Sequence, residues 1–277
     1  MMADRLFASA VWFSAVLIVF MVLWIVGDLT HQGISHLSWD FLVSAPANAG
    51  RSGGIGPILV ATMLIIGVTL AAALPLGLAV AVWLAEFNRR GNALGNSVRL
   101  SLDVLAGIPS IVFGLFGNAF FSVYLGLGFS ILSGGLTLAC MSLPVFIRTC
   151  EVGISAVNDA WRQGAAALGM TRSAALWHIL LPAASPAITA GLILGIGRAT
   201  AETAALIFTS GYVDRMPESL LDSGRALAVH IYDLSMNVSG GDPAAHASAL
   251  ILIALIIVFH VLALGLSDHW LQRRLLV

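Results

Sequence analysis

Arg198 and Glu202 are the two ionisable residues inside the apolar run Gly191-Leu192-Ile193-Leu194-Gly195-Ile196-Gly197-Arg198-Ala199-Thr200-Ala201-Glu202-Thr203. Charge at that depth in a bilayer costs a few kcal/mol or more, so such groups face other helices or a wet cavity. Gly191, Gly195, Arg198 and Glu202 fall at spacings of four, three and four, which predicts one helix face bearing two glycines and then two charges. The glycines would let a neighbouring helix approach. A guanidinium is protonated at any physiological pH, and its planar fork of donors matches phosphate or carboxylate oxygens two at a time. Glu202 would hold Arg198 when no anion is present, and its repulsion would keep anion binding weak enough for release. The other reading is a self-satisfied i,i+4 salt bridge that pins helix packing. Buried ion pairs often stabilise no more than apolar packing does, which favours an anion path.

A second constellation lies between Arg148 and Pro182. Asn158 or Asp159 can cap a helix through Trp161, Arg162, Gln163, Gly164, Ala165, Ala166, Ala167 and Leu168, with Gly169 as its left-handed stop. Thr171 can cap a second helix from Arg172 to Leu181, which Pro182 is expected to end. The pattern predicts an L of two helices whose small residues fit a partner's cleft, with Arg162 and Arg172 pairing at the rim. An ordinary interhelical connection would have the same pattern.

Other chemistries are poorly supported. The chain has thirteen arginines and no lysine, which removes the Walker-A lysine, Schiff-base chemistry and the Ser-x-x-Lys nucleophile. Any uphill work must therefore draw energy from a partner. No Gly-x-Ser-x-Gly elbow is present, and the seven histidines show no metal spacing; His31 and His36 merely share a loop. Cys140 and Cys150 are separated by about 15 Å along one helix, too far for a disulfide. A formal charge of -1 leaves no basic excess for nucleic acid.

The elements that must hold these residues are membrane spans. Of 277 residues, 59% are hydrophobic and 10% charged, and mean hydropathy is +0.96. Six runs are long enough to cross a bilayer: Leu6 to Gly27, Pro57 to Ala85, Val104 to Leu125, Leu127 to Ile147, Pro186 to Ser210 and Ala247 to Leu266. They predict an all-α, six-helix polytopic protein forming one transmembrane domain over 1–277. The first run exceeds a signal-peptide core and reads as an uncleaved anchor. The second should tilt, kink at Pro75 or project beyond the membrane. Gly126 to Gly128 predicts a tight hairpin between the third and fourth spans. With both termini cytoplasmic, Arg5, Arg89, Arg90, Arg99, Arg148, Arg162, Arg172, Arg273 and Arg274 lie inside, and only Arg51, Arg215 and Arg225 outside. The external loops, Asp28 to Gly56 and Gly211 to His246, are acidic and rich in Gly, Ser and Pro. A surface helix opening at Pro217 is expected in the second, as a gate or docking surface or simply resting on the bundle.

The spacing Gly169-x9-Ile179-x-Leu181-Pro182 resembles the EAA loop of ABC-transporter permeases, the element that docks into the ATPase subunit. Gln163 stands where that family's glutamate is usual and Gly164 where its first alanine is usual, which implies an altered contact with the ATPase. The stretch from Gly191 to Thr209 resembles the phosphate-specific (Pst) permeases, whose G-I-G-R-A-x-x-E-T-A core carries an Arg and a Glu tied to phosphate transport. Arg198 and Glu202 occupy those positions. Ala106-Gly107-Ile108-Pro109-Ser110-Ile111-Val112, Leu143-Pro144 with Arg148 to Glu151, and Gly53-Gly54-Ile55 extend the likeness along nearly the whole chain. The short N-terminus and the Gly-Gly-Ile entry resemble the A type more than the C type.

The resemblance implies a type I ABC importer permease in a bacterial inner membrane, with no cofactor of its own. It implies a PstC-type second permease, two copies of a PstB-type ATPase that use ATP and Mg, and a periplasmic phosphate-binding protein. Phosphonate or another tetrahedral oxyanion could replace phosphate. An intramembrane enzyme or simple channel, the competing class, would need neither partner nor nucleotide.

Overall fold

The computed structural model describes residues 2–88 and 92–275. Arg89 and Arg90, counted above as cytoplasmic, lie outside the described residues, as do the side chains of Arg273 and Arg274. In lipid every backbone polar group must be satisfied within its own segment, so the apolar runs fold as long helices. Five helices are long and apolar enough to span a membrane, or six if a pair of helices bent at a short break counts as one crossing.

Helix α1 (Met2–Gly33) runs on past Gly27, where a loop was expected from Asp28. A short helix α2 (Trp39–Val43) follows, capped by Ser38 Oγ accepting from Phe41 N–H. Strands β1 (Pro46–Ala47) and β2 (Ser52–Gly53) then pair antiparallel, Pro46 opposite Gly53. Helix α3 (Gly56–Val82) has Pro57 in its first turn, where a missing N–H costs nothing, and passes Pro75 without ending. A π-helical turn, Trp83–Phe87, extends it to 32 residues.

The third span is not the single helix expected from Val104 to Leu125. Helix α4 (Ala93–Ala106) meets α5 (Ser110–Gly117, prolonged by a π-helical turn Asn118–Tyr124) at 104°. Pro109 is extended and lacks an N–H, which breaks the helix at Gly107-Ile108-Pro109. Helix α6 (Ile131–Ser155) follows a turn in which Gly126 and Gly128 have φ +71° and +63°, as the hairpin requires. It begins later than Leu127 and ends well beyond Ile147.

Helices α7 (Asp159–Ala167) and α8 (Arg172–Ala175) form the connection to α9 (Leu181–Thr200). Pro182 does not end the second helix of the loop, because α8, a π-helical turn at Leu176–Leu180 and α9 make one 29-residue helix, Arg172–Thr200. A proline ring collides with the carbonyl four residues back in a regular helix, and the wider π turn falls at that carbonyl, His178. After α10 (Ala204–Ile207), the chain crosses an irregular segment to α11 (Leu227–Met236) and α12 (Asp242–Leu275). No helix opens at Pro217. Instead the Asp222 carboxylate accepts from Glu218 and Ser219 N–H and closes a turn. The segment lies over the start of α6, where Ile131 N–H donates to Asp222 O and Leu132 N–H to Leu220 O, both at 2.9 Å.

Helix α6 is central, packed between α3 and α9; α12 lies on α9, and α1 touches α12. One apolar cluster joins Ile65, Phe113, Leu138, Met141 and Leu206. Another, at the end that carries Gly169 (the loop end), joins Leu84, Leu102, Ile147, Ile154 and Leu180. The side chains of α1 from Phe7 to Val26 are exposed in this chain and available to lipid or a second subunit.

Candidate functional site

Helix α9 carries Arg198 in its last turn, where a cation complements the negative end of the helix dipole. Gly191 lets α9 approach α6: a methyl at that position would lie 3.2 Å from the Phe146 ring and 3.3 Å from Thr149. Gly195 does not act this way, since its nearest neighbour would be Ser142 at 4.0 Å. On the far side of α9, Gly197 faces His260 of α12, whose Nδ1 contacts its own helix at Ile256 O, 2.8 Å away.

The salt bridge between Arg198 and Glu202 is not formed. Helix α9 ends at Thr200, so Glu202 leaves the face shared by Gly191, Gly195 and Arg198, and its Oε1 accepts from Ala205 N–H at 3.3 Å. The sequence Ala199-Thr200-Ala201-Glu202-Thr203 holds no helix breaker. Tertiary contact with α5 accompanies the break: a methyl on Gly114 would sit 2.8 Å from Ala205 Cα, and Asn118 Nδ2 donates to Phe208 O at 2.8 Å. Arg198 is half-buried and, among the described residues, makes no hydrogen bond or ion pair. Its donors are open to a ligand or a neighbouring subunit.

The Gly169 loop has the predicted helix–glycine–helix order. Asn158 Oδ1 caps α7 by accepting from Ala160 N–H, and Thr171 Oγ1 caps α8 by accepting from Ala174 N–H. Gly169 has φ +71°, and Met170 N–H returns to Ala165 O at 3.0 Å. Trp161 and Leu168 are 57% and 81% exposed, a costly display for a solvated loop, and Gln163, Gly164, Ala166 and Ala167 are exposed beside them. A shallow cleft of about 330 Å³ lies between Ala160, Trp161, Gly164, Ala165, Leu168 and Ile179. Leu181 and Pro182 are buried and root the loop in the bundle.

Arg162 is not free to pair with a partner at the rim. It turns inward, where Nε and Nη2 donate to the Glu86 carboxylate and the guanidinium also reaches the carbonyls of Ile154 and Val157. The hydrogen-bonded Glu86 carboxylate raises the Arg162 pKa above its usual value. Nearby, Glu151, 5% exposed, accepts from Arg99 Nε at 2.6 Å and Arg148 Nη1 at 2.9 Å, while Arg148 Nε pairs with Asp103 at 3.1 Å. Arg99 Nη2 also donates to Leu84 O. Sequence reasoning assigned no role to Glu86, Arg99, Asp103 or Glu151. The signals they gave were charge at the ends of apolar runs and, for Glu151, its place in the Arg148 to Glu151 stretch that resembles the permease family.

At the opposite end His230 of α11 is fully buried beneath Gly50. Burial, helped by the Arg225 guanidinium, pushes its pKa down to about 4. Arg225 is held by Asp233 at 3.2 Å and by Tyr212 O at 2.8 Å.

A bundle of apolar helices with a rooted helix–glycine–helix loop at one end is the architecture of a type I ABC importer permease. The chain superposes on a subunit of a bacterial ABC transporter for alginate, solved in complex with its alginate-bound periplasmic protein, with a TM-score of 0.66 at 15% identity, over 98% of this chain and 94% of that one. The family described as "binding-protein-dependent transport system inner membrane component" matches residues 73–277, and the chain belongs to it. It is 31% identical to the probable ABC transporter permease YqgI of Bacillus subtilis, covering 97% of this chain and 94% of that protein. It is 29% identical to the phosphate transport system permease PstA 2 of Mycobacterium bovis, covering 98% and 90%. The protein is thus a multi-pass membrane subunit of an ABC importer.

Proposed function

We propose that the chain is the PstA-type permease of a phosphate importer and that Arg198 binds the anion in transit. The observation that carries this reading is the open guanidinium of Arg198, half-buried at the end of a spanning helix with no partner among the described residues. Phosphate relatives of nearly full length support the choice of anion. Glu202 stands beyond the helix end, near enough in sequence to contribute repulsion but no longer neutralising Arg198 directly.

In this reading the Gly169 loop faces the cytoplasm and docks into the ATPase through Trp161, Gly164 and Leu168. A PstC-type permease supplies the facing half of the path, two PstB-type ATPases bind ATP and Mg, and a periplasmic protein delivers phosphate. Closure of the ATPases moves the loop and swings the Arg198 face from outward to inward exposure, the alternating-access cycle.

Labelled phosphate uptake in cells expressing all the subunits tests the assignment. Arg198→Ala is expected to lose uptake at an unchanged membrane level. Arg198→Lys should lose roughly tenfold, because a point charge does not reproduce the fork. Absence of uptake with the unmodified protein would overturn phosphate as the anion. Uptake indifferent to Arg198 would overturn that residue's role.

A further inference from the structure

We infer that Glu86 and Arg162 are positioning residues, forming the joint that hands movement of the Gly169 loop to α3, α4 and α6 as one body. This rests on the loop being the ATPase-docking element. Arg162 is the one side chain of α7 that grips three elements at once. It holds the Glu86 carboxylate at the end of α3, the Ile154 carbonyl in the last turn of α6 and the Val157 carbonyl beyond it. Those carbonyls lie where an α-helix runs out of its own donors, so the guanidinium both ends α6 and fastens the loop to it.

The joint does not stop there. Arg99 of α4 donates to Glu151 of α6 and to Leu84 O in the same π-helical turn of α3 that carries Glu86. Four helices are therefore bonded at one end by side chains separated in sequence by 52 and 76 positions. Helix α9 is absent from this set; among the described residues no ion pair links it to α3, α4, α6 or α7. It takes up loop movement through the continuous helix Arg172–Thr200. The loop thus has two outputs: one fastened by side-chain bonds as well as by the chain joining α6 to α7, and one through Arg172–Thr200, which packs on α6 without an ion pair among the described residues. Arg198, at the far end of that helix, can shift against the bonded body because apolar packing rather than an ion pair joins the two.

The test uses the complete complex with its ATPase, spin-labelled at Ser97→Cys on α4 and Ala160→Cys on α7 in a Cys140→Ala, Cys150→Ala background. All four positions lie outside the joint. The distance between labels is measured without nucleotide and with ATP plus vanadate, and ATP hydrolysis is followed in parallel. In the otherwise unmodified complex the distance should hold to within about 2 Å between the two states, as for two points on one body. With Glu86→Gln, hydrolysis should persist while the distance broadens or shifts by roughly 5 Å on adding nucleotide. Glu86→Asp, which keeps the carboxylate, should restore the narrow distance. Where Glu86→Gln fails to assemble, Arg162→Gln is read in the same way. An unchanged distance in these variants overturns the joint, and so does failure of both to assemble, which would make the pair a requirement of folding alone. If ATPase binding leaves the Ala160 label as mobile as before, the docking role of the loop falls first, and the joint with it.

Discussion

The loop end of the bundle and the end of α9 use the same residue type in opposite ways. At the loop end Arg99, Arg148 and Arg162 have their donors taken up by Glu151, Asp103, Glu86 and backbone carbonyls. At the end of α9, Arg198 has no such partner among the described residues. A saturated guanidinium fixes the distance between elements, and adding a ligand to it would mean breaking bonds already made. An open one in an apolar helix has only the helix dipole to offset its desolvation, which is why the proposed function gives Arg198 a ligand. Exposure alone would not separate the two, since Arg99, Arg162 and Arg198 are all half-buried.

The largest expected effect tests that contrast directly. Glu151→Ala leaves two guanidinium groups without their shared carboxylate; both are partly solvated and keep other partners, so the cost should be about 2–3 kcal/mol, seen as a fall in folded protein recovered from membranes. Arg198→Ala should leave that level unchanged. An equal fall in both would make Arg198 a packing residue like the others.

The opposite end sharpens the comparison through pH. In the folded chain His230 stays neutral down to about pH 4, whereas in the unfolded chain it takes up a proton below its ordinary value of 6.5. Stability should therefore be complete above pH 6.5 and fall as pH drops towards 4, by up to about 3 kcal/mol from this group. Thermal unfolding in detergent near neutrality and at mildly acidic pH checks it, and His230→Leu should flatten the dependence.

The smallest effect concerns Gly169. A methyl there meets nothing within 4 Å, so the cost of Gly169→Val is set by φ +71° alone, about 1–2 kcal/mol. That is enough to alter the L, and the number of ATP molecules hydrolysed per anion imported should rise. Gly169→Asn, whose side chain tolerates this conformation, should stay close to the unmodified protein. Equal coupling in both variants would show that the loop transmits movement without its bend.

Local features of the loop were legible because their causes are local. Asn158, Gly169 and Thr171 act on neighbours a few residues away, and the glycines at 126 and 128 act on their own backbone. Apolar run length likewise announces a span, although it overran α9 at Ala201–Thr203 and concealed the bend at Pro109. Glu202 was misplaced because nothing between Ala199 and Thr203 stops a helix; the break coincides with contacts to Gly114 and Asn118, far away in the chain. Glu86 and Glu151 were visible as charges, but their partners lie dozens of residues off, and periodicity carries no information about such pairs. Pro182 misled for a subtler reason, since a π-helical turn removes the collision that makes proline a stop.

The 32 residues of α3 from Gly56 to Phe87 amount to about 48 Å of helix, against roughly 30 Å of bilayer hydrocarbon. The surplus is about three turns. Glu86 sits at the far tip of that overhang, and bilayer thickness and helix tilt set how far it stands clear of the hydrocarbon. A thicker membrane would cover more of that surplus and a thinner one less, so the match between helix length and bilayer bears directly on the surroundings of Glu86.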